Sequence, residues 1–553
     1  MSQAAALLAE AMRLAQAGLG PDALPLLDRA VAIDGSAQTL LAQGRVRLLM
    51  RDMAGAGFSL AAAHDLAPAD PAIAAERARL DIQCRRPSAA LALVDTALAM
   101  APPTARLLRE RGSALMLTGD IAGAIASWRA ALAIDPRDWL TASNIAYALM
   151  MDPKMTTAGL RDAQRPLFAG MAPAGMASPP PAPPPSADGR LHIGYVSACF
   201  HRHACARVFV PMITRHDRGR VRITCYSAVA RHDVTTVRLR FAVDGWRSIA
   251  GIDDAAAAAM IRADGVRVLV DLDGHLAQNR LGVFAHQPAP VQISAWGYLP
   301  GTGVPGLDHL VTDPVLIPQD ERAGLRETDR PLDVVCPTLA EPLAPPPDAR
   351  PAPDTAPAMV RLGCLARIEK LSDPLLDIWG QVLAARPATV LVLHDDMLDD
   401  PVWRRRLDGW CDRYCLGPGR VERLRRDGTA YLPTLRGLDI ALDTYPYSGG
   451  LMTLDALSQG VPVVTLAGHQ PSARTTASIL SCLIGDPALI ARTADGYRDA
   501  ILALIDAGPR RHALHRDLLA THHARLAAAI DQAAAGFERH VLALTAARPG
   551  PSG

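Results

Sequence analysis

The run Leu438-Asp-Ile-Ala-Leu-Asp443-Thr-Tyr-Pro446-Tyr-Ser-Gly449-Gly450-Leu-Met-Thr453-Leu-Asp455-Ala-Leu-Ser-Gln-Gly460-Val-Pro-Val-Val-Thr-Leu466 reads as a strand, a glycine turn, a helix and a second strand. The apolar residues before Asp443 suit a buried strand, Pro446 ends it, and Gly460 stops the helix that follows. A turn of this kind leaves backbone N–H groups unpaired at the start of a helix. Those donors and the positive end of the helix dipole suit a phosphate, and Gly449 and Gly450 carry no Cβ to block its approach. An ordinary strand-to-helix connection uses the same residues.

Outward from this stretch the pattern repeats. Leu191–Ser197, Val266–Leu272 and Ala388–His394 are further apolar strand runs, separated by helical patterns such as 374–385. Strands alternating with helices imply parallel sheets covered on both faces, with ligands at the carboxyl ends of the strands. Two Pro-rich stretches divide the chain. One includes Ser178-Pro-Pro-Pro-Ala-Pro-Pro-Pro-Ser186 and the other runs from Pro337 to Pro357.

The N-terminal part is of another kind. Pro68, Pro102 and Pro136 close similar Ala-rich segments and are spaced by 34 residues, the period of tetratricopeptide helix pairs. Such an array exposes a concave groove for peptides, or serves as a scaffold or dimerisation arm. Asn144 is its one asparagine, so a groove that grips peptide backbone through an asparagine ladder is not expected. The expected domains are a repeat array at 1–150, a linker at 151–189, one α/β half at 190–336, a second linker at 337–357 and a second α/β half at 358–545.

Composition narrows the function. A chain of 553 residues with a formal net charge of +1 has no general attraction for nucleic acid or anionic lipid. Its nine cysteines lack zinc-type spacing, and no run reaches membrane-span length, so a cytoplasmic protein is expected. Lysine occurs only at 154 and 370; every other strong cation is arginine. A compact point charge at Lys370 therefore stands out.

From about 190 to 535 the chain resembles the catalytic part of the O-GlcNAc transferase family, including plant Spindly enzymes and bacterial members. The resemblance rests on Gly194-Tyr-Val-Ser-Ala-Cys-Phe-His-Arg-His203, Asp271-Leu-Asp-Gly-His275 with Asn279-Arg280, and Gln287–Tyr298 with Pro300-Gly-Thr-Gly303. It continues in Ile368-Glu-Lys370 leading to Trp379, Asp443–Leu457, and Ser472-Ala-Arg474 leading to Cys482-Leu483. It implies an α plus α/β architecture: a tetratricopeptide solenoid followed by a GT-B fold of two Rossmann-like halves. It also implies inverting transfer of a sugar from a nucleotide donor, UDP-GlcNAc by family default, to Ser or Thr of a protein, without a metal or other cofactor.

By the same resemblance Lys370 stands at the position of the catalytic lysine, His203 near the acceptor hydroxyl as general base or orienting group, and Asp264 near the site. His275, Gly301, Thr302, Arg367, Gly449, Gly450, Thr453, Asp455 and Arg474 are expected to meet the donor. Arg280 is read equally as a structural ion-pair residue. Leu451 and Met452 replace threonines of relatives, Leu365-Ala366-Arg367 replaces an aromatic-Asn motif, and Cys199 replaces an aspartate, all on the donor side. Arg367 suits a donor with an extra carboxylate. The chain is also similar in architecture and motifs to alphaproteobacterial flagellin glycosyltransferases, and that resemblance implies the runner-up, a flagellin glycosyltransferase using a nonulosonic acid donor; a third reading is an inactive repeat-based adaptor.

His201 and His203 lack a third metal ligand, and the pairs Asp271 with Asp273 and Asp395 with Asp396 are read as structural. His512, His515, His522 and His523 are read as a solvated helix face.

Overall fold

The computed structural model describes residues 2–16, 20–171, 180–181, 183–184, 186, 188–322, 325, 330–343, 359–426 and 431–546. Most of the two Pro-rich stretches lies outside the described residues. The chain forms two compact units, one within 1–148 and 399–405, the other within 149–398 and 406–553.

The first unit is a series of helix pairs: Gln3–Gln16 with Gly20–Ile33, Ala37–Leu49 with Met53–Leu66, Pro71–Gln83 with Pro87–Met100, and Ala105–Thr118 with Ile121–Ile134. Asp52, Asp70, Thr104 and Asp120 cap helix N-termini with their side chains. Small residues set the spacing within pairs. A Cβ at Gly44 would lie 2.6 Å from Leu60, and one at Gly112 would lie 2.5 Å from Trp128 Nε1.

The second unit holds two wholly parallel sheets. In the first, β1 (Leu191–Ser197), β2 (Val221–Ser227), β3 (Gly245–Ser248), β4 (Val268–Asp271), β5 (Val291–Ser294), β6 (His309–Thr312) and β7 (Arg330–Asp333) lie in the order β3-β2-β1-β4-β5-β6-β7. In the second, β8 (Val360–Cys364), β9 (Thr389–His394), β10 (Val421–Leu424), β11 (Ile440–Leu442), β12 (Val463–Leu466) and β13 (Ile490–Ala491) lie in the order β10-β9-β8-β11-β12-β13. All residues of β1 and β9 are buried, as continuous apolar runs covered on both faces must be. Registers such as Val196 against Asp271 align the carboxyl ends along one edge.

Three expectations are corrected. The span 151–189 is not all linker, because the helix Thr157–Ala169 belongs to the second unit and stacks Phe168 on His275 at 4.9 Å. The final helix, Gly508–Ala546, is not confined to the second half: Phe537 packs 4.9 Å from Trp296, and His540 bonds Asp333 O at 2.7 Å. Nor is that helix's histidine face solvated. His522 is buried, which lowers its pKa to about 4, and His515 Nδ1 lies 2.9 Å from Gly460 O.

The backbone is tightest at Gly297, where a Cβ would stand 1.8 Å from Leu272 O. Backbone cannot yield as a flexible side-chain tip can, so Gly297→Ala is expected to cost about 3 kcal/mol or more. Gly409→Ala, on a helix with open space around it, should be neutral or slightly stabilising. Thermal midpoints of the two variants check the contrast. Among the described residues no helix is long and apolar enough to cross a membrane.

Candidate functional site

Asp443 follows directly on β11, and its carboxylate organises the turn. It accepts the Gly449 N–H at 2.6 Å, the Thr444 N–H at 2.9 Å and the Thr465 hydroxyl at 2.6 Å. The Gly449 amide is thereby committed inside the protein. Donors for a ligand come instead from the first turn of the helix Leu451–Ser458, whose N-cap Gly450 makes no side-chain cap bond. Both glycines sit in tight packing, since a Cβ would lie 3.1 Å from Asp443 Oδ1 at Gly449 and 3.1 Å from Thr338 Cγ2 at Gly450.

Lys370 ends a short 3-10 turn after β8. Its Nζ donates to Ser448 O at 3.2 Å and sits 3.7 Å from the centroid of the Tyr447 ring. Ser448 is fixed in turn, with its hydroxyl donating to Ser472 O at 2.8 Å and accepting the Thr475 N–H at 3.1 Å. Burial, helped by the Arg367 charge, lowers the Lys370 amine to about 8, while Asp443 and Glu369 pull the other way. Near pH 7 it carries its proton and remains a cation.

Lys370, Arg367, Gly449 and Gly450 line one cavity of about 510 Å³, together with Ala204 from the first half. A narrower cavity of about 220 Å³ shares Lys370, Gly450 and Ala204 and is walled by Trp296, Tyr447 and Ser448. Three cations (Lys370, Arg367 and Arg426), one helix N-terminus and residues of both α/β halves thus face the same space. Tyr447, Ser448, His394, Arg426 and Tyr431 also line these cavities and were not singled out from sequence. The pair Tyr447-Ser448, immediately before the glycines, was the available signal; nothing local marks Arg426.

His203 is the N-cap of the helix Ala204–Thr214, accepting the Cys205 N–H at 3.2 Å, and lines an adjoining cavity of about 540 Å³ that also touches Ala204. Other expected residues lie elsewhere. Asp264 ends the helix Asp254–Ala263 ahead of β4, at the edge opposite the cavity, where it pairs with Arg247 at 2.8 Å and accepts from Tyr226 at 2.9 Å. A helix C-cap and ion pair account for it.

Arg474 is buried away from the cavity lining. It donates to Gly468 O at 2.7 Å and Leu316 O at 3.0 Å and pairs with Glu321 at 2.5 Å, joining the two halves. Asp455 does the same from its own side, accepting Arg207 at 2.6 Å and Tyr431 at 3.0 Å. Its carboxylate is therefore engaged by protein groups. Thr453 turns inward, its hydroxyl 2.9 Å from that of Thr476. His275 Nε2 donates to Thr302 O at 2.8 Å, and burial lowers its pKa to about 4, so the ring is neutral. Gly301 and Thr302 line a separate cavity of about 200 Å³ with Arg165.

The remaining charges are structural. Arg280 pairs with Asp254 at 2.7 Å and donates to Ile249 O. Asp273 accepts from Ser197 and Ala198, and burial raises its pKa to about 6; burial and the charge of Asp273 raise Asp271 to about 7.

Comparison with known proteins adds an independent line. The profile of glycosyl transferase family 41 matches residues 181–328. A probable UDP-N-acetylglucosamine–peptide N-acetylglucosaminyltransferase SPINDLY of Petunia hybrida is 31% identical over 328 residues, covering 57% of this chain and 34% of that protein. The SPINDLY protein of Arabidopsis thaliana is 32% identical over 317 residues, covering 56% and 34%. The chain spans about a third of the length of these curated relatives. A solved structure of a lysine-to-methionine mutant of the Thermobaculum terrenum O-GlcNAc transferase superposes with a TM-score of 0.80 at 30% identity, covering 91% of this chain and 96% of that one.

Proposed function

The chain belongs to the O-GlcNAc transferase family, and from that premise we propose that it is a protein O-glycosyltransferase whose donor diphosphate binds against Lys370 and the helix that starts at Leu451. The sugar, GlcNAc from UDP-GlcNAc by family default, passes to a Ser or Thr hydroxyl of a protein acceptor recruited by the repeats. The hydroxyl oxygen attacks the anomeric carbon from the face opposite the leaving group. A new C–O bond forms, the bond to the diphosphate oxygen breaks with its electron pair, and configuration inverts. The hydroxyl proton goes to a base at the acceptor side, for which His203 is the candidate.

The leaving group carries the developing charge, and this is where the residues act. The Lys370 ammonium and the amides at the start of the helix Leu451–Ser458 are fixed in place before the reaction, so stabilising that charge requires little reorganisation. The single observation that supports the reading is the shared cavity of about 510 Å³ lined by Lys370, Gly449 and Gly450.

A thermal-shift series with UDP, GDP and CMP at pH 7 and pH 9 tests it. A nucleotide that binds only the folded protein raises its midpoint. The Lys370 amine is lowered to about 8 from its ordinary 10.5, so its charge is present at pH 7 and mostly lost at pH 9. The shift given by a diphosphate should therefore shrink as pH rises through about 8, and Lys370→Met should show a small shift at both values. Equal shifts at both pH values in the unmodified chain would remove Lys370 from the phosphate.

A further inference from the structure

We propose that the cavity beside His203 seats the acceptor segment, and that Arg202 and Arg238 select segments carrying a carboxylate close to the target hydroxyl. The proposal rests on the glycosyltransferase reading and adds to it the chemical class of acceptor.

The cavity of about 540 Å³ is formed by residues from three places in the chain: the loop and helix from His201 to Pro211, Thr235 and Arg238 on the helix Val234–Ala242, and Glu341–Leu343. Ala204 lines both this cavity and the one holding Lys370, so a chain lying here can place a hydroxyl beside the donor sugar.

Its charges are unbalanced. Arg207 is neutralised by Asp455 at 2.6 Å, and Glu341, the one carboxylate in the lining, meets Arg215 at 3.5 Å. Asp233 is next to the cavity, but its oxygens are spent on the backbone amides of Arg202, Thr235 and Thr236. Arg202 and Arg238 are exposed and have no carboxylate partner among the described residues.

An acidic side chain supplies that partner, and an Arg fork binds a carboxylate through two parallel hydrogen bonds. The same helix exposes Val234, Val237 and Phe241 at 60%, 48% and 86%. These positions recur at i, i+3 and i+7, so they form one apolar stripe beside Arg238. An acceptor with an acidic residue near the hydroxyl and an apolar residue farther along would cover both.

The test uses the full chain and fluorescent Ser-containing peptides that are identical except for flanking Glu, Gln or Lys, with binding read by anisotropy. The Glu peptide should bind about ten-fold more tightly than the Lys peptide at low salt, and the gap should narrow as salt rises. Arg202→Glu combined with Arg238→Glu should abolish or invert that order. A control carrying Arg404→Glu and Arg413→Glu, which makes the same change of net charge at residues 59% and 63% exposed, should preserve it.

Equal affinities, an order unchanged in the first double variant, an order lost equally in the control, or no binding of the Glu peptide at about 1 mM each overturn the proposal. Failure of the glycosyltransferase reading appears separately, as absent nucleotide shifts, because peptide binding is measured without turnover.

Discussion

Lys370→Ala is expected to lower the rate of sugar transfer by at least about 10²- to 10³-fold, equivalent to roughly 3–4 kcal/mol of transition-state stabilisation, while acceptor binding stays unchanged. The size follows from where the charge sits. The ammonium is held by the Ser448 carbonyl at 3.2 Å and the Tyr447 ring at 3.7 Å; of the two arginines lining the same cavity, Arg426 is tied to the His394 and Leu365 carbonyls and Arg367 faces Glu369, so neither is placed to take over its position. Lys370→Arg should restore little activity, because a planar guanidinium is too broad for the space between that ring and carbonyl. The loss should fall mainly on kcat, since an interaction strongest with the departing diphosphate acts in the transition state. Single-turnover transfer from a labelled donor measures it. A chain working only as an adaptor would be indifferent to the change.

Arg474→Ala is expected to act on stability. The guanidinium has 8% side-chain exposure and satisfies Gly468 O, Leu316 O and Glu321 together. Truncation leaves two buried carbonyls without this donor and Glu321 without its cation, at a cost of about 3 kcal/mol, toward the lower end for a broken pair because Glu321 keeps 30% exposure and the Thr157 hydroxyl at 2.6 Å. The thermal midpoint should drop by several degrees, with nucleotide affinity of the still-folded protein changed less than about three-fold. A large loss of affinity at an unchanged midpoint would return Arg474 to the phosphate.

The parallel sheets and the helical repeats were legible because their signals are local. Buried strands are written as unbroken apolar runs, and each repeat recurs after 34 residues. Lys370 and Gly450 were legible for a related reason, one as a rare lysine and the other as a glycine turn between a strand and a helix. What escaped was pairing across the chain. Arg207 meets Asp455 and Arg474 meets Glu321 across 248 and 153 residues, and no pattern around either arginine records its partner.

The helix Thr157–Ala169 was hidden by its Pro-rich surroundings, and its fit against Tyr298 through Gln164, at 2.7 Å, exists only once the sheet has formed. His522 reads as polar by residue type, yet its helix turns that side inward. Asp264 follows the end of a helix, where Arg247 and Tyr226 hold its carboxylate, and neither partner is marked in the sequence around it.

The return of the helix Gly508–Ala546 to the first sheet bears on how the chain matures. Phe537 fills the space between Trp296 and His216, and Glu538 takes the Asp217 amide and Arg220, groups made some three hundred residues earlier. During synthesis, at roughly 5–20 residues per second, the first α/β half emerges with that apolar notch open and stays so for tens of seconds. Its closure waits until the helix Gly508–Ala546 has been made, so the half translated first is completed by a segment translated some two hundred residues after its own last strand.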